Sequence, residues 1–477
     1  MTVLAPERLE WVEGWGMAVG AAGYVHRPST VAQAAEVLRA AARAGVSVVP
    51  RGAGCSYGDA ALRPESVVLD LGRMRRILDW DPEVGEVEVE PGVTLRQLWR
   101  FAIGDGWWPS VVTGSMAPTI GGALAMNVHG KNNWARGTLG EHCREFDVML
   151  PSGEVRTLDR NRDRELFHAV IGGFGQLGVI VRARLGLKRV HSGLLEVKAV
   201  SAPNLGAMLE ALDEAKDRWE YVVGWLDTFA RGRRLGRGLI HFARHLEPGE
   251  DPAPAQSLRL EVQDLPDTLL GVVPASLMWR LLRPATNRPG MRLVNLGKYL
   301  VGSTVGDGAV VRQSLAAFSF LLDYIPGWKR VYAPAGLIQH QSFVPEADAE
   351  RVFARQLELG QRAGQPSFLA VLKRHRPDDF LLSHAVDGFS LALDFPVRPR
   401  RRRELWNLVR DMAAPVVAAG GRFYPAKDAA LPGELYRASL PGETLERFQK
   451  LKGRLDPGGL LRSSLADRLL PGKDGAP

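Results

Sequence analysis

The sequence predicts an α+β protein with two domains. Its 477 residues are too many for one small core. Capped helical patterns alternate with short strand patterns in the first part of the chain, and the texture changes from about residue 196. Later segments show the period-two alternation of half-buried strands. These observations favour mixed helix and sheet in two units.

Composition excludes several classes of protein. The hydrophobic share of 45% and charged share of 24% are typical of a globular protein. The N-terminus lacks the apolar segment of a signal peptide, and no uncharged apolar run approaches the roughly 18 residues of a membrane span. We therefore expect a protein that is cytoplasmic or peripheral to the membrane.

Charge and cysteine usage narrow the possible partners. The net charge of +8 permits an anionic substrate or membrane surface, but no basic patch interleaved with aromatic residues indicates nucleic acid. Cys55 and Cys143 lack metal-ligand spacing, so we predict packing roles, no disulfide and no metal site.

The first glycine-rich segment follows a predicted helix and strand. Residues 30–45 have one apolar stripe, with Ser29 or Thr30 as N-cap and Gly45 as the end. The strand pattern VSVVPRG leads into RGAGCSYGDAAL, whose backbone N–H groups can cradle a pyrophosphate. The segment is neither GxGxxG opening a helix nor GxxxxGK[ST], so it indicates neither a Rossmann site nor a P-loop.

A second glycine-rich segment covers residues 109–139 and contains Asn, His and Lys between its glycines. Glycines there permit close approach, either by a flat polar-edged cofactor or by neighbouring backbone. A hairpin with its turn at residues 151–153 follows, and then a third glycine cluster at residues 172–178. Three clusters in one half favour a large, flat, phosphate-bearing ligand.

The second half carries fewer signals. Residues 269–284 are apolar and predict a core helix in preference to one that touches a membrane surface. GLIQHQSFVP, SFLAVLKRHR and GFSLALDFPV predict strands. A charged helix follows, with residues 400–403 as its solvated first turn, and the tail predicts strand, loop and helix.

The strings RGAGCSYGD, TGSMAPTIGGALA and AVIGGFGQLGVIV resemble the vanillyl-alcohol-oxidase (PCMH-type) family of FAD-binding oxidoreductases. The strings NVHGKNNW, GLIQHQSFVP and GGRFYPAKD are similar to a subfamily that oxidises polyprenylphosphoryl-β-D-ribose in cell wall arabinan biosynthesis. The resemblance implies an FAD-binding domain at 1–195, an inserted substrate (cap) domain on an antiparallel sheet at 196–414, and a C-terminal segment at 415–477 that returns to the FAD domain.

The resemblance also implies a set of cofactor-binding residues. They are Arg51, Gly52, Ala53, Gly54, Cys55, Ser56, Tyr57, Gly58, Asp59, Gly114, Ser115, Thr119, Ile120, Gly121, Gly122, Met126, His129, Val179 and Tyr424. TGSMAPTIGGALA is expected to form a strand and turn along the cofactor. Many relatives bond the flavin covalently to a histidine that follows the loop serine, whereas here Tyr57 follows Ser56, so we predict non-covalent FAD.

Three residues are implied to be catalytic: Lys427, Tyr57 and His129. From the residues alone, Lys427 is a surface lysine paired with Asp428, and the intact GGRFYPAK string favours the catalytic role. His129 is equally well explained as a hydrogen-bonded structural group. The implied substrate residues are Lys131, Trp225, Gln339, Gln341, Lys373 and Ser390. Gln339 and Gln341 lie on one face of a predicted strand.

The implied reaction is oxidation of the 2′-hydroxyl of the lipid-linked sugar phosphate to a 2′-keto sugar. An NAD-dependent short-chain reductase would then complete the epimerisation to the arabinose precursor. The subfamily pattern has cysteine where Ala392 stands and asparagine where Ser390 stands, which leaves the exact sugar open. The alternatives are oxidation of a free sugar, alditol or other secondary alcohol, and flavin binding without turnover.

Overall fold

The computed structural model describes residues 2–269 and 273–470. A four-stranded sheet comes first, in the spatial order β1-β2-β4-β3. Its strands are β1 (Leu9–Glu13), β2 (Gly20–His26), β3 (Val48–Arg51) and β4 (Val67–Asp70). Strands β2, β3 and β4 are parallel and β1 is antiparallel to β2. The first glycine-rich segment leaves the sheet directly at the end of β3.

An antiparallel five-stranded sheet follows, in the order β5-β6-β10-β8-β9. Its strands are β5 (Ile77–Asp81), β6 (Glu86–Val89), β8 (Cys143–Met149), β9 (Val155–Asp159) and β10 (Val179–Gly186). The short strands β7 (Trp107–Trp108) and β11 (Lys188–Arg189) pair separately. The predicted hairpin is confirmed, with Gly153 in the left-handed region at φ 85° between β8 and β9.

The helices of this half are α1 (Val31–Arg43), α2 (Leu95–Ala102), α3 (Ile120–Ala125), α4 (Asn133–Arg136) and α5 (Arg164–Val170). Thr30 caps α1, because its Oγ1 accepts from the N–H of Gln33 at 3.2 Å. The expected strand in TGSMAPTIGGALA is wrong, since that string contains helix α3. Ala123 and Leu124 are buried and hold this glycine-containing helix on the core.

An antiparallel eight-stranded sheet dominates the second half, in the order β17-β12-β14-β13-β19-β20-β18-β21. Its strands are β12 (Leu194–Ala202), β13 (Tyr221–Leu226), β14 (Gly238–His245), β17 (Val310–Ser314), β18 (Leu337–Pro345), β19 (Leu369–His375), β20 (Gly388–Pro396) and β21 (Arg422–Phe423). The three predicted strands are confirmed as β18, β19 and β20. Strands β15 (Thr268–Leu269) and β16 (Val273–Pro274) form a separate pair.

Helices of the second half are α6 (Leu205–Glu214), α7 (Pro254–Ser257), α8 (Leu260–Gln263), α9 (Met278–Leu282), α10 (Arg288–Thr304), α11 (Leu315–Ser319), α12 (Glu346–Arg362) and α13 (Arg402–Ala418). The core helix expected at 269–284 is wrong for residues 273–284. They form short pieces, and Leu277, Leu281 and Leu282 are exposed. Residues 270–272 lie outside the described residues.

The C-terminal segment contains α14 (Gly433–Ala438), α15 (Thr444–Leu455) and α16 (Ser464–Leu469) and contacts the first half of the chain. The Val48 N–H donates to the carbonyl of Leu460 at 2.7 Å. Arg468 on α16 pairs with Asp59 at 2.7 Å and with Asp428 at 2.6 Å. The mixed helices and antiparallel sheets confirm the α+β class, and the domain boundaries stay a prediction.

Among residues 2–269 and 273–470, no helix combines the length and apolar character that crossing a membrane requires.

Candidate active site

A cavity of about 480 Å³ lies between the glycine-rich segments and the eight-stranded sheet. Most of the residues singled out from the sequence line it. They are Arg51, Gly52, Ala53, Gly54, Cys55, Ser56, Tyr57, Gly114, Ser115, Thr119, Gly121, Gly122, Met126, His129, Lys131, Val179, Trp225, Gln339, Gln341, Lys373, Tyr424 and Lys427. Residues from segments far apart in sequence therefore line one cavity.

Four of the singled-out residues lie outside this wall. A Cβ at Gly58 would lie 1.8 Å from the Asp428 carbonyl oxygen, so that glycine permits close backbone packing. Asp59 is turned to Arg468. Ile120 is fully buried in the core on α3. Ser390 lies behind Gln341, where its hydroxyl is 2.8 Å from Nε2 of His375.

The loop after β3 presents free backbone donors to the cavity. Within the part of the chain that the structure describes, the N–H groups of residues 52–56 find no hydrogen-bond partner. Gly54 has φ +66°, which turns the loop. A Cβ at Gly52 would lie 2.2 Å from Oγ1 of Thr119, a buried hydroxyl that also lacks a partner among the described residues. Such a cradle suits an anion.

Lys427 lies in a short helical turn, Pro425–Lys427, that follows β21. Its Nζ is 3.9 Å from the centroid of the Tyr57 ring. Burial lowers the pKa of Lys427 to about 8, against the opposing effect of the Asp394 carboxylate. Asp428 pairs with Arg468 instead, so the surface ion pair considered for Lys427 is not formed.

Asp394, which the sequence analysis missed, faces the same space from β20. It accepts a hydrogen bond from Nε2 of Gln339, while its other oxygen has no partner among the described residues. Burial raises the pKa of Asp394 to about 6. The signal was present, because Ser390, Ala392 and Asp394 alternate in GFSLALDFP and therefore point to one face.

His129 belongs to a cluster of buried rings. Its centroid lies 4.9 Å from that of His375, 5.4 Å from His384 and 5.1 Å from Tyr424. Nε2 of His129 is 3.1 Å from Nε2 of Gln341. Because the amide nitrogen of Gln341 only donates, Nε2 of His129 is the acceptor. Burial holds the pKa of His129 well below its usual range. The neutral imidazole leaves Nδ1 without a partner among the described residues.

Further lysines line the same cavity. Lys131 donates to the carbonyl of Phe318, and burial lowers the pKa values of Lys131 and Lys373 to about 7 each. Nζ of Lys298, from α10, lies 4.2 Å from the Trp225 ring centroid, and His241 also lines the cavity. Lys131 and Lys373 are partly buried and line the cavity, so ordinary surface charge, the alternative for both, does not describe their position. No sequence pattern indicated Lys298 or His241.

Comparison with known proteins defines the class. A model of FAD-binding domains matches residues 22–159, which contain the loop after β3 and the second glycine-rich segment. Residues 22–159 therefore form an FAD-binding domain, and the chain is an FAD-dependent oxidoreductase.

Particular relatives extend the likeness beyond that domain. The decaprenylphosphoryl-beta-D-ribose oxidase of Mycolicibacterium smegmatis is 29% identical over 475 residues, which cover 97% of this chain and 98% of that protein. Cytokinin dehydrogenase 7 of Oryza sativa subsp. japonica is 34% identical over 34% of this chain and 32% of its own. The first likeness, at 97% of the chain, includes the substrate-side residues on the eight-stranded sheet.

The cavity residues fit FAD. The unpartnered N–H groups of residues 52–56 suit its pyrophosphate, and the hydroxyl of Thr119 offers a further polar contact. The glycine backbones of Gly121 and Gly122 and the apolar side chains of Met126 and Val179 give a wall for a flat ring.

Proposed function

We propose that this chain oxidises the 2′-hydroxyl of a polyprenylphosphoryl-β-D-ribose to the 2′-keto sugar. The observation that carries the proposal is one cavity whose wall contains Lys427 together with two further lysines, Lys131 and Lys373. Lys427 suits proton removal from an alcohol, and Lys131 and Lys373 suit a sugar phosphate. Likeness to an oxidase of such a sugar along 97% of the chain supports the same substrate class.

FAD, when bound, supplies the acceptor for the hydride that leaves the carbinol carbon. The hydroxyl on that carbon must lose its proton as the C–H bond breaks, and Lys427 is the group that takes it. With a pKa of about 8, a useful fraction of Lys427 is neutral amine near neutral pH. Asp394 then stabilises the ammonium that forms, because its carboxylate acts on Lys427 through the same buried space.

Side chains on the sheet orient the sugar. Gln339 and Gln341 project from one face of β18 into the cavity, whereas His340 on the other face is 3.1 Å from Nε2 of Gln356. Amide groups donate and accept, so they hold sugar hydroxyls in a fixed direction. Gln339 donates a hydrogen bond to Asp394. A residue that orients the sugar therefore contacts the carboxylate that acts on Lys427.

Lys131 and Lys373 hold the phosphate. Burial, and to a lesser extent repulsion from a neighbouring lysine, disfavours their charged forms, so each has a pKa of about 7. The single negative charge of the substrate's phosphodiester would favour the ammonium forms through opposite charge in a site of low dielectric. The pocket is therefore most complementary to the substrate when the phosphate is present, which favours the lipid-linked sugar over a free one.

The reaction would be the first half of an epimerisation. A 2′-keto sugar becomes the arabinose epimer when hydride returns from the opposite face, which we assign to a separate NAD-dependent short-chain reductase. A lipid-linked substrate also implies peripheral contact with a membrane.

Anaerobic mixing tests the proposal. We expect the oxidised flavin band to bleach with a short-chain polyprenylphosphoryl ribose and to persist with ribose or alditols at the same concentration. Bleaching by free sugars or alditols alone would replace the proposal with oxidation of a free alcohol. A flavin that neither class of compound reduces would contradict oxidation of this substrate class.

A further inference from the structure

Exposed apolar side chains concentrate in one part of the surface. Thirteen of the twenty large hydrophobic residues that are exposed among the described residues fall between Val262 and Leu321. Isolated exposed hydrophobic residues are ordinary, whereas a contiguous group indicates a binding surface.

Helix α10 turns its apolar residues outward. Leu293, Leu296 and Leu300 are spaced i, i+3 and i+7, which places them on one face, and all three are exposed. The opposite side packs on β12 and β14, where a Cβ at Gly302 would lie 2.4 Å from Cδ1 of Leu239. The apolar face of a helix ordinarily packs against another part of the protein, whereas this one faces solvent.

The charge around this stripe has one sign. Residues 273–304 contain five basic residues and no acidic residue: Arg280, Arg283, Arg288, Arg292 and Lys298. Apolar side chains beside cations, without acids, are the pattern of a helix that lies in the interface of an anionic bilayer. Two copies of such a face would repel each other across a two-fold axis, which disfavours self-association.

The stripe is continuous with the cavity. Lys298 on α10 reaches the Trp225 ring in the cavity wall. Leu321 and Leu322 also line the cavity, and Leu321 is 54% exposed. The apolar surface therefore reaches the mouth of the site.

We propose that α9 and the outward side of α10, together the docking face, bind the surface of an anionic lipid bilayer and hold the cavity mouth against it. Bilayer binding follows from the surface itself. Its use, delivery of a lipid-linked sugar from the membrane to the cavity, rests on the proposed function.

Flotation of the FAD-loaded protein with vesicles tests the docking face. One set of vesicles contains phosphatidylcholine with phosphatidylglycerol and the other phosphatidylcholine alone, and neither contains a sugar lipid. We expect flotation with the anionic vesicles only. The double variants Leu293→Ser/Leu300→Ser and Arg280→Gln/Arg292→Gln should each lower the bound fraction by roughly ten-fold, through lost apolar burial and lost attraction.

The variant Leu9→Ser/Leu78→Ser is the matched control, because both leucines are exposed outside the docking face. It should float like the unchanged protein. Flotation that neither docking-face variant reduces, or no flotation with anionic vesicles, would overturn the proposal. A concentration-dependent dimer that Leu293→Ser/Leu300→Ser dissociates would assign the face to a second copy instead.

A soluble short-chain substrate separates this proposal from the proposed function. Flavin bleaching by that substrate should be unchanged in both docking-face variants, since neither variant alters the cavity. Loss of flotation with retained bleaching supports both proposals. Flotation as described, with no bleaching in any form of the protein, would leave the docking face standing and reject the substrate.

Discussion

Lys427 owes its chemistry to burial. We predict that Lys427→Met lowers the rate of flavin reduction by substrate roughly 10²- to 10⁴-fold, because methionine keeps the apolar stem and removes the proton acceptor. The flavin absorbance spectrum should show that FAD is still bound. Stopped-flow reduction measures the rate. Lys450→Met is the control, because Lys450 is exposed on α15. The flavin in this variant should be reduced at the unchanged rate.

Lys427 also makes the rate of flavin reduction depend on pH. Burial lowers the pKa of Lys427 to about 8, and its amine form is the one that takes a proton. The reduction rate should therefore rise with pH through about 8, and Lys427→Met should lack this limb. A rate that falls as pH rises through the same range would make the ammonium the productive form and refute the assignment as base.

The buried histidines make the free energy of unfolding depend on pH. Burial holds the pKa of His129 and His375 well below normal and lowers that of His384 to about 3. Because the unfolded chain takes up protons below about pH 6.5 and the folded cluster does not, stability falls as pH falls. Each such histidine contributes about 1.4 kcal/mol of this loss near pH 5.5.

Replacing one ring tests that linkage. His384→Phe should reduce the loss of unfolding free energy between about pH 7.5 and 5.5 by about 1.4 kcal/mol, measured by urea denaturation at both values. His191→Phe, at an exposed position, should leave the loss unchanged. Equal pH dependence in His384→Phe and the unchanged protein would show that His384 titrates normally.

At the scale of elements, Arg468 joins three segments. From helix α16, its guanidinium binds Asp59 in the first glycine-rich segment and Asp428, the residue that follows Lys427. Arg468→Met removes the cationic partner of two largely buried carboxylates, so we expect a loss of about 3 kcal/mol in unfolding free energy. FAD should also dissociate faster, because the loop and turn are no longer tied together.

Urea denaturation and flavin release measure these effects. Arg462→Met removes a more exposed pair with Asp467 and should cost less than about 1 kcal/mol. Arg468→Lys should recover part of the loss. Equal stability of Arg468→Met and Arg462→Met would contradict a joining role for Arg468.

Sequence patterns predicted elements better than they predicted exposure. Alternation placed Gln339 and Gln341 on one face of β18, and both line the cavity. Periodicity does not say which side of a helix meets solvent, so the outward stripe of α10 had no signal. The strand predicted in TGSMAPTIGGALA is wrong because glycine and alanine fit a short, closely packed helix, here α3, as well as they fit a strand.

At the scale of the whole molecule, the sequence motifs identified the residues of the glycine-rich segments that line the cavity. Other lining residues are brought there only by the fold. Asp394, Lys298 and His241 are brought to the cavity by sheet pairing and by the packing of α10, which no local pattern encodes. The residues that motifs did identify lie in glycine-rich segments, where close backbone approach restricts the side chains that fit.

We predict that FAD is held by the fold alone. Tyr57 follows Ser56, and its ring is buried between Trp15, at 4.6 Å between centroids, and Lys427. A phenol so placed offers no imidazole nitrogen for a flavin bond. Acid precipitation should leave the yellow chromophore in the supernatant. A yellow pellet would contradict the prediction, and His129, whose Nδ1 has no partner among the described residues, would then be the residue to replace.

An isotope measurement tests the central claim, that hydride leaves C2′ of a lipid-linked pentose. Flavin bleaching is followed with short-chain polyprenylphosphoryl ribose that carries deuterium at C2′, and with the same compound labelled at C3′. We predict that only the C2′ label slows bleaching, by several-fold, because only that C–H bond breaks. Bleaching slowed by the C3′ label and unaffected by the C2′ label would contradict oxidation of the 2′-hydroxyl.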